Sequence, residues 1–148
     1  MGRRLFDVVD GPFGWDDEMG YGAGLAARPP VFVVTHTIPT AVRLGARFRF
    51  VRGGVAEAIR EAHGVANGLD VVVMGGAETV RQAVDGGLVD ELRIHLAPIH
   101  LGSGTPLFSP SATRRELVQM GSLASPNATH ITYGTRGHRT SEAVREHR

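Results

Sequence analysis

The sequence predicts an α/β fold: a mainly parallel sheet flanked by helices, with an antiparallel strand pair at its C-terminal end. Three observations carry this. Apolar runs of strand length alternate with stretches of helical spacing. Glycine pairs, Gly53-Gly54 and Gly75-Gly76, stand where a strand gives way to a helix. Two late strand-like segments flank the turn-forming run Ala124-Ser125-Pro126-Asn127. Alternating elements call for parallel strands covered by helices, and the last pair adds an antiparallel edge.

Each element has its own local reason. Arg3 to Val9 forms a short helix, with Leu5, Phe6, Val8 and Val9 apolar, and Asp10-Gly11-Pro12 ends it. Residues 11–30 are rich in glycine and proline and hold Phe13, Trp15, Met19 and Tyr21, so they read as a long loop. Residues 31–35 are a buried strand, and 47–51 a short strand of alternating character. A helix over 54–66 follows through Val55, Ala58, Ile59, Ala62 and Val65, and stops at Asn67-Gly68. Residues 70–74 read as a strand and 77–85 as a helix closed by Gly86-Gly87. In 89–97, Leu92, Ile94 and Leu96 alternate with Arg93 and His95, and Pro98 ends the strand. A glycine-rich loop through Gly102-Ser103-Gly104 leads to Pro106-Leu107-Phe108. The closing strands are 116–122 and 129–134. Residues 1–134 read as one domain and 135–148 as a polar, disordered tail.

Bulk properties narrow the function. The chain has 148 residues, enough for one domain with a core. A net charge of +1 argues against nucleic acid and against anionic membranes as partners. The absence of cysteine excludes disulfides, thiol nucleophiles and Cys-ligated metal, and suits a cytoplasmic protein. No apolar run approaches the roughly 20 residues that span a bilayer. The seven histidines make no Glu-x-x-His or His-x-x-x-His pair on a helix face, so no metal site is expected.

The chemistry concentrates at Val73-Met74-Gly75-Gly76-Ala77-Glu78. A strand that turns into a helix across two glycines gathers backbone N–H groups at a helix N-terminus, and missing Cβ atoms let an anion approach. A phosphate-bearing ligand over Gly75 and Gly76 is one reading; a tight connector with no ligand is the other. Thr35 and His36 also end a strand, and ligands of such sheets lie outside the strands' carboxyl ends. Other residues admit two readings each. Phe13, Trp15 and Tyr21 form a lid or anchor their loop. His95 beside Arg93 meets a substrate phosphate or is a half-exposed sheet position. Asp90-Glu91 is a carboxylate pair or shapes a turn. Ser103 lacks the strand-to-helix elbow of a nucleophile.

Four segments resemble one family. Gly2-Arg3-Arg4-Leu5-Phe6-Asp7, Val31 to Thr37, Val73 to Ala77, and Val89-Asp90-Glu91-Leu92 with Pro98, Leu101-Gly102-Ser103-Gly104 and Pro106-Leu107-Phe108 are similar to motifs of the dihydrofolate reductase-like fold. Within that fold the likeness is to the C-terminal reductase domain of bacterial riboflavin-biosynthesis deaminase/reductases. The resemblance implies NADPH, hydride transfer to a small heterocyclic or carbonyl substrate, and a homodimer. The family's reductase acts on 5-amino-6-(5-phosphoribosylamino)uracil. It also implies that Gly2, Arg3 and Arg4 face the cofactor phosphates, that Thr35 and His36 lie near the 2′-phosphate, and that Gly75, Gly76, Ala77 and Glu78 cradle the pyrophosphate. Family members carry a strand and loop ahead of the Gly-Arg motif. The expectation is therefore a sheet short of that strand, no catalytic residue to name, and dependence on a second copy. The competing class is a catalytically degenerate nucleotide-binding or dimerisation module.

Overall fold

The computed structural model describes residues 1–16, 18–25, 28–108 and 114–135. Its elements are α1 (Arg3–Val9), β1 (Val31–Val34), β2 (Phe48–Val51), α2 (Val55–Ala66), α3 (Ala77–Asp85), β3 (Glu91–Leu96), β4 (Leu117–Ser125) and β5 (Ala128–Thr135). They fall into two compact units that divide between Leu88 and Val89.

In the first unit β1 and β2 pair in parallel, Val31 opposite Phe48 and Val34 opposite Val51. Side chains alternate across a strand, so this register sorts the apolar residues into two faces. Val31, Val33 and Phe48 pack with Phe6 and Val9 of α1, and Leu5, Trp15 and Phe50 adjoin them. Phe32 and Val51 pack on the other face with Ala58, and Val34 and Ala62 adjoin those. The pair is thus covered by α1 on one side and α2 on the other. Phe6, 2% exposed, sets its ring edge-on against Phe48 at 5.0 Å and Phe50 at 5.2 Å. Each such contact is worth about 0.5–1.5 kcal/mol beyond burial.

Asp10 fixes the exit of α1. Its carboxylate accepts the backbone N–H groups of Arg43 (2.8 Å) and Leu44 (2.9 Å). Arg43 returns the contact by donating to the carbonyl of Asp10 at 3.0 Å and to those of Val9 and Trp15. Val9 and Asp10 offer carbonyls that a helix end leaves without intrahelical partners, and Trp15 ties the following loop to the same guanidinium.

The second unit is an antiparallel sheet in the order β3-β5-β4. Leu92 faces Tyr133, and His95 faces His130. β4 joins the other edge of β5 with a register shift between Gln119 and Gly121. Ser125 closes the hairpin: its hydroxyl donates to Ala128 O (3.0 Å) and accepts from Ala128 N–H (3.2 Å).

The three helices and the strands at 31–35 and 47–51 stand within a residue of their expected bounds. Two expectations change. Residues 70–74 form no strand. An apolar run becomes a strand only when a neighbour takes its N–H and C=O groups, and the described residues supply no ladder there. Met74 still packs beside the α1 core, while Val72 is 54% exposed. The strand at 89–97 shortens to β3 and enters the antiparallel sheet, so parallel pairing is confined to β1 and β2. Of the loop aromatics, Trp15 packs on the core and lies under the Arg47 guanidinium at 5.0 Å, whereas Phe13 is 97% exposed. The tail from 136 onward lies outside the described residues.

Candidate functional site

Two helix N-termini converge. Gly76 precedes α3 and Gly2 precedes α1, and the Gly2 N–H donates to Gly75 O at 3.1 Å. Gly2 also bridges Val34 in parallel register, and Val34 N–H donates to Met1 O at 2.9 Å. Met1 is held in turn, its amino group donating to Phe32 O at 2.6 Å. The site therefore assembles from three distant stretches of sequence: the start of α1, the end of β1 and the start of α3.

The two glycines of the turn differ. Gly75 has φ of +121°, a conformation that side chains with a Cβ rarely adopt. Gly76 has φ of −62°, open to any residue, and a Cβ added there would meet nothing within 4 Å. The backbone does not demand glycine at 76, and its bareness leaves the approach to α3 clear. Gly2 is bare for a third reason. A Cβ there would lie 2.4 Å from Thr79 Oγ1 in the first turn of α3.

Val80 N–H takes Gly76 O at 3.1 Å, so the amides of Ala77, Glu78 and Thr79 are the orphan donors of α3. No side chain caps them from Gly76. Glu78 is drawn along the helix instead, accepting from Gln82 Nε2 at 2.9 Å and pairing with Arg81. The Gln82 hydrogen bond, then Arg81, holds its carboxyl below the usual carboxylate range. At α2 the opposite holds: the Glu57 carboxylate folds back onto the position a Gly53 Cβ would fill. One helix start is covered by its own acid, and the other faces outward with its acid turned aside.

Arg3 and Thr35 meet at one carbonyl. Arg3 Nη1 donates to Thr37 O at 2.8 Å, as does Thr35 Oγ1 at 2.8 Å. Arg3 Nε is also paired with Asp7 at 2.7 Å. Thr35 is buried, while Arg4 and His36 are exposed. Gly2, Arg3, Thr35, Gly75, Gly76, Ala77 and Glu78 thus surround two adjacent helix starts, and Arg4 and His36 stand outside that hydrogen-bonded set. Two residues escaped the reading of the sequence. Thr79 backs onto Gly2, which no local pattern signals. Arg52 is exposed at the carboxyl end of β2, one residue beyond Val51, whose carbonyl accepts from Thr35 N–H at 3.0 Å. A cation at a strand end was the available clue.

Among the described residues no helix is long and apolar enough to cross a membrane. None of them form a cluster of three or more His, Cys, Asp or Glu suited to a metal ion.

The family model of the RibD C-terminal domain matches residues 18–131. The chain belongs to the RibD C-terminal domain family. That match contains Thr35, His36 and the Gly75–Glu78 turn, while Gly2, Arg3 and Arg4 precede it. The fold is dihydrofolate reductase-like, and the RibD C-terminal family is associated with NADPH-dependent reduction. The chain is similar to a crystal structure of a protein from Shewanella sp. PV-4 provisionally named for riboflavin biosynthesis. The two share 25% identity with a TM-score of 0.66, over 91% of this chain and 71% of that one. No curated protein matches the chain.

Proposed function

We propose that this RibD-like domain is an NADPH-dependent reductase whose cofactor pyrophosphate lies against Gly75, Gly76 and the first turn of α3. The observation that carries the reading is the Gly2–Gly75 hydrogen bond, which sets the starts of α1 and α3 side by side. A diphosphate suits that geometry, because two N-terminal dipoles and the orphan amides of Ala77, Glu78 and Thr79 act on neighbouring phosphates. The residues present fit the cofactor: the Gly76 face is clear and Glu78 is turned away. Arg4, exposed on the first turn of α1, supplies a free-reaching cation toward the same group. In this proposal His36 and Arg52, exposed just beyond the ends of β1 and β2, read the 2′-phosphate, and the Thr35 and Arg3 hydrogen bonds to Thr37 O order the turn beside them.

NADPH supplies a hydride when bound. The chain's own part is to grip the phosphates, order the strand-end turn and hold the ligand in a fixed pose, which is where much catalytic advantage arises. The substrate class is a small heterocyclic or carbonyl compound, with a 5-amino-6-(5-phosphoribosylamino)uracil-like pyrimidine the first to assay. A homodimer working in the cytoplasm completes the proposal.

Thermal denaturation with NADPH tests it. A ligand that binds only the folded chain raises Tm in proportion to its concentration over Kd. The expected result is a saturable rise with NADPH, smaller with NADH. No shift with either would favour the dimerisation module without cofactor.

A further inference from the structure

We infer that His95 and His130 form a two-imidazole chelate for a divalent transition-metal ion on one face of the β3-β5-β4 sheet. The two residues are direct cross-strand partners, 35 positions apart in the chain. Their rings stand edge to face with centroids 4.8 Å apart, and the two Nδ1 atoms are 2.6 Å from each other. A helix-spacing search could not find this pair, because only the register of β3 on β5 brings the rings together.

The hydrogen bonds around Ser125 decide which nitrogen of His130 is free. The Ser125 hydroxyl gives its one hydrogen to Ala128 O and accepts from Ala128 N–H. Its remaining lone pair lies 3.1 Å from His130 Nε2. A hydroxyl has one donor and two acceptor sites, so His130 must donate there and carries its proton on Nε2. Its Nδ1 then carries the lone pair, which accepts from His95 Nδ1–H at 2.6 Å in the metal-free pair. This is the arrangement of a metal-binding imidazole: the far N–H is fixed by an oxygen, and the near nitrogen is presented as ligand.

Distance selects the class of ion. Metal–imidazole bonds of about 2.0–2.1 Å put two nitrogens about 2.9 Å apart at a right angle and about 3.3 Å apart at a tetrahedral one. The observed 2.6 Å is nearer the right-angled value, which small ring rotations reach. A right-angled pair of nitrogens suits the tetragonal preference of Cu²⁺ or Ni²⁺, with water filling the other positions. As the ion enters, the exposed His95 ring changes tautomer: its Nδ1 proton passes to solvent and Nε2 takes one up, so both ligands are neutral imidazoles. The neighbouring cation on this face, Arg93, is paired with Glu91 and so repels an arriving metal less.

The test is a Cu²⁺ titration of the metal-stripped chain, followed by electron paramagnetic resonance and calorimetry. Wild type should show a saturable site with hyperfine structure from two imidazole nitrogens. His95→Gln and His130→Gln should each bind one equivalent fewer, with unchanged circular dichroism, and this subtraction separates the pair from the other five histidines. Ser125→Ala should keep the stoichiometry and lose about tenfold in affinity. Equal stoichiometry and affinity in wild type and both histidine variants would overturn the chelate. Unchanged affinity in Ser125→Ala would overturn the assignment of the His130 proton.

Discussion

Gly2 is bare because Thr79 stands behind it: a Cβ at residue 2 would lie 2.4 Å from Thr79 Oγ1 and 3.7 Å from its Cβ. The start of α1 can therefore reach Gly75 only while residue 2 is glycine or residue 79 gives way. Gly2→Ala should destabilise the chain by about 1–3 kcal/mol, the usual cost of overpacking. Thr79→Ala removes the obstructing oxygen and leaves an ordinary contact. The double variant Gly2→Ala/Thr79→Ala should recover most of the loss specific to Gly2→Ala. Urea melts of the four chains measure this, and additive losses in the double variant would show that the two residues do not meet.

Gly75 and Gly76 should separate folding from binding. Gly75→Ala places a Cβ at φ of +121° and should cost about 1 kcal/mol or more in stability. The Cβ of Gly76→Val meets nothing within 4 Å, so its Tm should stay near wild type. It should nonetheless weaken NADPH by tenfold or more on the order expected when one strong anion contact is lost. Calorimetry on both variants checks this. Intact NADPH affinity in Gly76→Val would move the pyrophosphate elsewhere.

The contrast between these neighbours shows what sequence could and could not say. Helix boundaries were legible because each is written locally, as in Asn67-Gly68 after α2 and Gly86-Gly87 after α3. The glycine pair marked the turn that opens α3. The identity of the groups around it was less legible, since Thr79 and Arg52 approach from separate elements. Residues 70–74 show the same limit. Four apolar residues satisfy every local rule for a strand, but a strand is a property of two chains of backbone. His95 and His130 show it again, as their pairing is fixed by register over 35 residues.

Cofactor choice should depend on the strand ends. If Arg52 and His36 read a 2′-phosphate, Arg52→Ala should lower NADPH affinity and leave NADH unchanged. Loss of one charge-assisted contact is worth about 1.5–3 kcal/mol, roughly a 10- to 100-fold change. Competition binding with the two cofactors reads the ratio. A parallel loss for both would assign Arg52 to packing or to general charge.

Glu78 should give a small acid-side signature. Its carboxyl is held below the usual range by Gln82 and Arg81, so its favourable contacts are present when it is ionised. A depressed carboxylate contributes stability above its unfolded value, and that contribution disappears as pH falls through the folded value. Glu78→Gln should therefore melt below wild type at neutral pH and approach it under acid conditions. The side chain is exposed, which keeps the difference modest. A Tm gap that is constant with pH would assign the effect to shape rather than charge.

The homodimer should form through β4. This strand lies at the edge of its sheet, bonded to β5 on one side. It is nine residues long and exposes Val118 (53%), Met120 (46%) and Leu123 (69%). A long edge that presents both backbone groups and apolar side chains invites another strand. A second copy is the simplest occupant, because an antiparallel edge can pair with itself about a two-fold axis. Each Å² of apolar surface so covered contributes roughly 25 cal/mol before the cost of association is deducted. Sedimentation at micromolar concentration should give a dimeric mass. Val118→Lys with Leu123→Lys, which sets charges along the same edge, should give a monomer that keeps its circular dichroism. A dimer that survives both substitutions would place the contact on another surface, and a monomeric wild type would remove the dimer itself.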